Sequence, residues 1–357
     1  MKPYLDVPFL SDQSYVEYLE KRADEIDSLH FALFNHDRLD NRILLHNLGD
    51  DKPAVEQLAR LHGPRKYALL NSRFYPQSLF TDKERTRMVL KALEICLDHN
   101  VLHGIIYCDH YLLQRFAEVS PELAAELEAV PSVNTMLDSF AKIDAHLSYI
   151  SDTGFKPPEK IVLDRSLNRD LDLLAEISLR IRAKFPNIHI EVLANEGCLW
   201  YCPFKLSHDA YIALANASGE TPLDTFNCRL GCVKIYQESP HHLFFSPFIR
   251  PEDIDLYLYH VDTIKLCGRT LGSDFLKNVI EAYRHRQYQG NLLDLLDAVN
   301  WLADKLHIDN SLLSFDFAGT LSMCDHRCDI CGFCMELFQT VAYWKSLSIP
   351  GYKAVAD

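Results

Sequence analysis

Eight of the chain's eleven cysteines fall into two sets of four. Cys198, Cys202, Cys228 and Cys232 form two C-x3-C pairs, and Cys324, Cys328, Cys331 and Cys334 lie within "CDHRCDICGFC". Four thiolates with no histidine in the pattern suit a tetrahedral zinc site or a 4Fe-4S cluster. For the first set the spacing favours the cluster. Paired cysteines that hold zinc more often follow C-x2-C, and a structural zinc staples a loop rather than standing where a strand runs out. Cys96, Cys108 and Cys267 stand alone and read as small buried hydrophobes.

In the tail set the first three cysteines follow C-x3-C-x2-C, the spacing of the radical SAM cluster. That motif belongs to the loop after the first barrel strand, where an open iron faces the cavity. Here the corresponding loop, "LSDQSY", has no cysteine, and Cys334 supplies a fourth thiolate that closes the coordination radical chemistry must leave open. The expectation is a compact ferredoxin-type loop with Gly332 at its tight turn and a helix from Met335, with zinc as its competitor.

The elements that must position these residues are legible as alternation. "YLDVPF", "LHFALF", "KYALLN", "VLHGIIY", "LEAVPSV", "KIVLD", "IHIEVLAN" and "VDTIKL" are short apolar runs that read as strands. Between them, stretches such as "DKERTRMVLKALEICLDHN" and "NRDLDLLAEISLRIRAKF" carry apolar residues at helical spacing. Eight strands alternating with helices predict an α/β chain folded as a (β/α)8 TIM-like barrel over residues 1–305, with a cysteine-rich C-terminal extension over 306–357. An open doubly wound sheet is the alternative, and no Gly-x-Gly-x-x-Gly follows an early strand to support its dinucleotide-binding form.

The chain has 357 residues, 48% of them hydrophobic, and a formal charge of −14. No basic stripe offsets that charge, which argues against direct binding of nucleic acid. No apolar run is long enough for a membrane span and the start lacks a secretory signal pattern, so the expected location is cytoplasmic.

Barrel chemistry gathers where strands end. The polar residues at those ends are Asp6, Asn35, Asn71, Asp109, Asn134, Asp164 with Arg165, Asn195 with Glu196, and Lys265 with Arg269. Each is also a natural helix cap or loop hydrogen-bonder. Of these, Glu196, Lys265 and Arg269 are the candidate catalytic residues: Lys265 and Arg269 suit a carboxylate, and Glu196 can move a proton beside Cys198. The competing reading is a rim salt bridge between Glu196 and Arg269. Gly197 and Gly231 are expected to let the backbone pass close to a bulky ligand. His241 and His242, read as consecutive strand residues, would point to opposite faces, leaving at most one for a cavity. No His-Glu-x-x-His helix or Gly-x-Ser-x-Gly elbow is present.

"IEVLANEGCLWYCPFKLSH", "PSVNTMLDS", "KIVLDRSLNRDLDLLAEI", the Cys228/Cys232 segment and "VDTIKLCGRT", with its Lys265, Gly268 and Arg269, resemble in this order the collagenase-like U32 peptidase family. The resemblance spans roughly residues 1 to 290, with its firm motifs between 130 and 270. It implies a barrel and, by the family's members in oxygen-independent ubiquinone synthesis and RNA base hydroxylation, a 4Fe-4S cluster at the barrel mouth. The family pattern usually has a longer gap between the first two cysteines than Cys198 and Cys202 show.

Together these readings lead to an iron-sulfur oxidoreductase, hydroxylase-like and independent of molecular oxygen, acting on a small anionic molecule. One or two 4Fe-4S clusters are expected, with zinc as the alternative in the tail, and a redox partner protein or related subunit as a further partner. The opposing readings are a non-catalytic scaffold or electron-transfer subunit, and a peptidase on the family's name alone.

Overall fold

All eight apolar runs become strands: β1 (Tyr4–Pro8), β2 (Ile26–Ala32), β3 (Arg65–Leu70), β4 (Gly104–Tyr107), β5 (Glu128–Pro131), β6 (Lys160–Val162), β7 (His189–Leu193) and β8 (Thr263–Lys265). The structure, a computed structural model, describes residues 4–33, 39–41, 51–218 and 224–346; Asn35 lies outside them. Every strand pair is parallel, and β1 pairs with both β2 and β8. The seam between β5 and β6 is closed by a parallel bridge between Glu128 and Lys156, where Lys156 N donates to Leu127 O at 3.0 Å. Parallel neighbours require crossovers, supplied by helices such as Lys83–Asp98, Phe140–Thr153, Leu171–Lys184 and Ser273–His285. The result is the (β/α)8 barrel that the alternation predicts.

Period-two alternation sorts the strand residues into two layers. Leu5, Val7, Leu29, Phe31, Ala68, Leu70, Ile105, Ala129, Ile161, Ile190, Val192 and Ile264 belong to the large core shared with the surrounding helices. Their alternates fill the barrel, and these divide by chemistry. On β3 to β5, Tyr67, Leu69, Ile106 and Val130 form a small apolar cluster. On β1, β2 and β6 to β8, the buried alternates are Asp6, Ser28, His30, Lys160, Glu191, Thr263 and Lys265, with Val162 and Leu193 as the apolar ones. The interior charge is therefore concentrated on one side of the barrel, with Glu128 on β5 as the exception.

A second core lies beyond the barrel proper. Tyr236, Phe244 and Phe248 pack with Leu292, Leu296, Leu306, Phe317, Cys334 and Val341, so the extension expected from residue 306 shares its core with earlier segments. A two-stranded antiparallel ribbon, β9 (Leu306–Ile308) with β10 (Ala342–Trp344), closes it. Two buried arginines seal the seam to the barrel. Arg169 lies over the Phe248 and Phe317 rings at 5.2 and 5.9 Å, and Arg250 lies over Phe317 at 4.7 Å while pairing with Asp253.

Candidate active site

At the C-terminal ends of the strands a pocket of about 120 Å³ opens, and Glu196, Lys265 and Arg269 all line it, together with Asn71, Asn134 and Cys198. The three catalytic candidates are thus brought together, but not in the pairing the sequence suggests. Glu196 is ion-paired with Arg165 and Arg269 with Asp40, so the expected Glu196–Arg269 bridge does not form. Glu196 follows β7 and Arg165 follows β6, adjacent strands whose ends lie side by side. Lys265 does not stand at the rim. It is buried at the pocket floor, ion-paired with Asp6 and 3.1 Å from His30 Nδ1.

The other strand-end residues divide between pocket and scaffold. Asn71 accepts from Asn41 N at 3.0 Å, and Asn134 Oδ1 accepts from Arg165 at 3.4 Å. Asp109 and Asp164 are caps, accepting from Tyr111 N and Ser166 N. Asn195 ties the ends of β7 and β8 together, exchanging bonds with the Cys267 backbone and donating to Leu295 O.

Beneath the pocket lies an ion cluster that strand-end reasoning reached only at Asp6 and Lys265. Lys160 Nζ donates to Asp6 Oδ2 at 3.0 Å, Ser28 Oγ at 2.7 Å and Glu191 Oε1 at 3.1 Å, and no part of Lys160, Asp6 or Glu191 is exposed. His30 Nδ1 lies 2.8 Å from Asp6 Oδ1. A carboxylate only accepts, so Nδ1 carries the proton and Lys265 is held by Asp6 rather than by the imidazole. Burial, then the charge of Lys265, pushes His30 down to about 4. Burial pushes Glu191 up to about 7 against the pull of Lys160. Burial also works to raise Asp6, but Lys160, Lys265 and His30 together hold it well below the ordinary carboxylate value.

These shifts predict a cancellation. Between pH 4.5 and about 7 the native state keeps a proton on Glu191 that the unfolded chain releases, so this group makes stability fall as pH rises. Between about pH 4 and 6.5 the unfolded chain holds a proton that native His30 refuses, so this group makes stability rise with pH. Over their common range these two contributions largely cancel in the wild type. Relative to the wild type, Glu191→Gln should gain stability toward pH 6.5, by up to about 1.4 kcal/mol per pH unit, and His30→Gln should lose it toward pH 7. Urea melts at half-unit steps read both slopes; the same profile in all three proteins would refute the assignment.

The first cysteine set surrounds the loop that leaves β7. Cys198, Cys202 and Cys232 lie near one another and near Tyr236, whose hydroxyl donates to Gly197 O at 3.0 Å; Cys228 is exposed on the helix Asp224–Leu230. Burial raises the thiols of Cys198, Cys202 and Cys232. The glycines beside them serve packing rather than a ligand. Gly197 has φ +81°, and an added Cβ would lie 3.0 Å from Val299; at Gly231 it would collide with the Asn227 side chain.

All four tail cysteines line one cavity of about 630 Å³, with Gly332 at φ +67° turning the loop and a helix over Phe333–Val341 following. Burial, then the nearby Cys324, Cys328 and Cys331, pushes the Cys334 thiol up to about 12. The His326 backbone N–H donates to Cys324 Sγ at 3.4 Å. His241 and His242 line the same cavity. Their segment is a 3-10 helix over Pro240–Phe245, not a strand, so consecutive residues need not face opposite ways. Among the described residues, no three His, Cys, Asp or Glu side chains are gathered closely enough to hold a metal ion as they stand. The four tail thiols share one cavity and have the donor type of a metal centre, whereas of the first set only Cys198 lines the mouth pocket.

No family model matches the chain. Over 177 residues it is 34% identical to a protein of Methanocaldococcus jannaschii named as an uncharacterized protease, covering 50% of this chain and 51% of that one. The match thus spans about half the length of that relative. Among solved structures, the U32 peptidase Mk0906 aligns at a TM-score of 0.49 and 12% identity, covering 74% of this chain and 93% of that one. A glycerophosphodiester phosphodiesterase from Parabacteroides distasonis aligns at 0.32 and 11%, covering 55% and 86%. Among the described residues, no helix is long and apolar enough to cross a membrane.

Proposed function

We propose that the chain is a U32-type barrel enzyme working as an iron-sulfur oxidoreductase on a small anionic molecule held in the barrel mouth. The observation that carries this reading is the contact between the two cysteine loops. Trp200, between Cys198 and Cys202, stacks on His326, between Cys324 and Cys328, with ring centroids 4.1 Å apart and planes 13° from parallel. Trp200 is itself fixed by donating to Ser166 O at 3.0 Å. A tail centre in that position stands next to the loop that runs into the substrate pocket, as an electron-supplying centre requires.

Cys324, Cys328, Cys331 and Cys334 would hold the tail centre, as a cluster or as zinc, and Cys198, Cys202 and Cys232 with Cys228 the barrel centre. A 4Fe-4S cluster supplies one-electron transfer at a potential set by its surroundings. The rest is done by this chain's own side chains. Arg269 and the Lys265 charge at the floor attract and orient a carboxylate. Glu196, oriented by Arg165, takes or gives a proton at a carboxylate oxygen beside Cys198. A redox protein or a related subunit would deliver electrons to the exposed tail loop.

Cys198→Ser and Cys232→Ser are each expected to lose the barrel iron while keeping the far-ultraviolet circular dichroism of the wild type, because the barrel core forms without these thiols. Unchanged iron in both variants would remove this cysteine set from the proposal. A peptidase is the second reading, favoured by the 34% identity to a protein named as a protease. Hydrolysis of a peptide library by metal-free protein, undiminished in Cys198→Ser, would select it instead.

A further inference from the structure

Two residues that line the mouth pocket carry a buried donor and a buried acceptor that the protein does not use. Arg269 donates to Asp40 Oδ2 through Nη2, and its side chain is only 8% exposed, yet its Nη1 has no hydrogen-bond partner among the described residues. Asn41, also 8% exposed, donates through Nδ2 to Asp209 Oδ1 at 3.0 Å. That bond fixes the amide orientation, because the carboxylate only accepts. Asn41 Oδ1 is then the acceptor, and it too has no partner among the described residues. Both residues line the pocket. They are also linked, since Arg269 is anchored on Asp40, the residue next to Asn41.

Burial without a partner costs a polar atom about 1–3 kcal/mol, so a site with one unused donor and one unused acceptor is complementary to a ligand offering the reverse. The donor's own charge specifies its partner. Lys160, Arg165, Lys205, Lys265 and Arg269 are set against Asp6, Asp40, Glu196 and Asp209 in ion pairs. A buried guanidinium N–H left without a partner is matched best by a carboxylate oxygen, through a charge-assisted hydrogen bond. The pocket volume of about 120 Å³ admits only a small molecule or the end of a larger one.

We propose that this pocket takes a small carboxylic acid bearing a hydroxyl or ammonium next to its carboxylate, with the carboxylate on Arg269 Nη1 and the neighbouring donor on Asn41 Oδ1. The inference rests on the anionic-substrate reading above and narrows it to hydroxy and amino acids. Propionate, lactate and alanine serve as probes, differing only in the group beside the carboxylate. By calorimetric titration of the full chain, prepared anaerobically, lactate or alanine is expected to bind about tenfold tighter than propionate, the worth of one satisfied buried hydrogen bond. Asn41→Leu should bring that acid down to the propionate level and leave propionate unchanged. Arg269→Met should weaken all three about tenfold or more, with Arg269→Lys as the variant that keeps the charge if the methionine variant fails to fold. Equal binding of the three acids by the wild type, or discrimination that survives Asn41→Leu, overturns the inference alone. Propionate binding indifferent to both Arg269 variants overturns the anionic-pocket reading instead, and no binding of any acid overturns both.

Discussion

At pH 7.5 Lys160→Met is expected to be about 3–5 kcal/mol less stable than the wild type, the usual cost of breaking a buried ion pair on one side. Lys160 joins three strands: its ammonium is bonded to Asp6 on β1, Ser28 on β2 and Glu191 on β7. Methionine fills similar volume, so packing against the Tyr67 ring, over which the ammonium lies at 4.5 Å, is largely kept and the loss is mainly electrostatic. Asp6 retains Lys265, but Glu191 loses its nearest cation and at pH 7.5 must either stay charged without it or take up a proton, each at a cost. Two consequences identify the mechanism. The deficit should shrink at pH 5, where Glu191 is protonated in the native state and needs no partner. Lys160→Met with Glu191→Met should recover part of the stability, since an apolar pair replaces a broken ionic one. Urea unfolding at the two pH values measures both, and a loss below about 1 kcal/mol that does not change with pH would show that the cluster is not ionic as described.

This cluster also marks where the sequence stops being informative. The strands are legible because buried parallel strands are apolar on the outer layer in every case, and Leu5, Val7, Leu29 and Phe31 keep that signal intact. The inner layer carries none. His30 and Glu191 stand singly between apolar residues, Ser28 and Lys160 each follow an acidic residue, and only barrel closure brings them to one axis. Arg165 is visible as a strand-end residue, yet its choice of Glu196 follows from β6 and β7 being neighbours, which no local pattern encodes. Asp40 and Asn41 belong to no motif; Asn41 lines the pocket from the segment after β2 and Asp40 holds Arg269 there. His241 and His242 lie in a 3-10 turn rather than a strand, and Pro240 directly before them is a usable signal, since proline favours the first position of a helical turn. The cysteine loops were legible as sets, but the Trp200–His326 stack that joins them depends on tertiary docking.

The second large effect concerns the tail. With Cys324 and Cys331 both replaced by serine, two of the four thiolates lining the tail cavity are lost, and the remaining Cys328 and Cys334 cannot hold a 4Fe-4S cluster. The double variant is expected to fall from about eight iron per chain to about four while keeping the barrel cluster's absorption, and to lose turnover with external electron donors. Because Cys334 can supply a fourth thiolate, the reduced wild type is expected not to cleave S-adenosylmethionine. Release of 5′-deoxyadenosine by the wild type and not by the double variant would establish radical chemistry at the tail instead.

The central claim is that both cysteine sets hold redox-active iron-sulfur centres, and counting iron, acid-labile sulfide and zinc in the anaerobically purified wild type tests it most directly. The account predicts about eight iron and eight sulfide per chain, with a reversible bleaching of the visible absorption on reduction. Protein that carries zinc and no iron after anaerobic purification would contradict it.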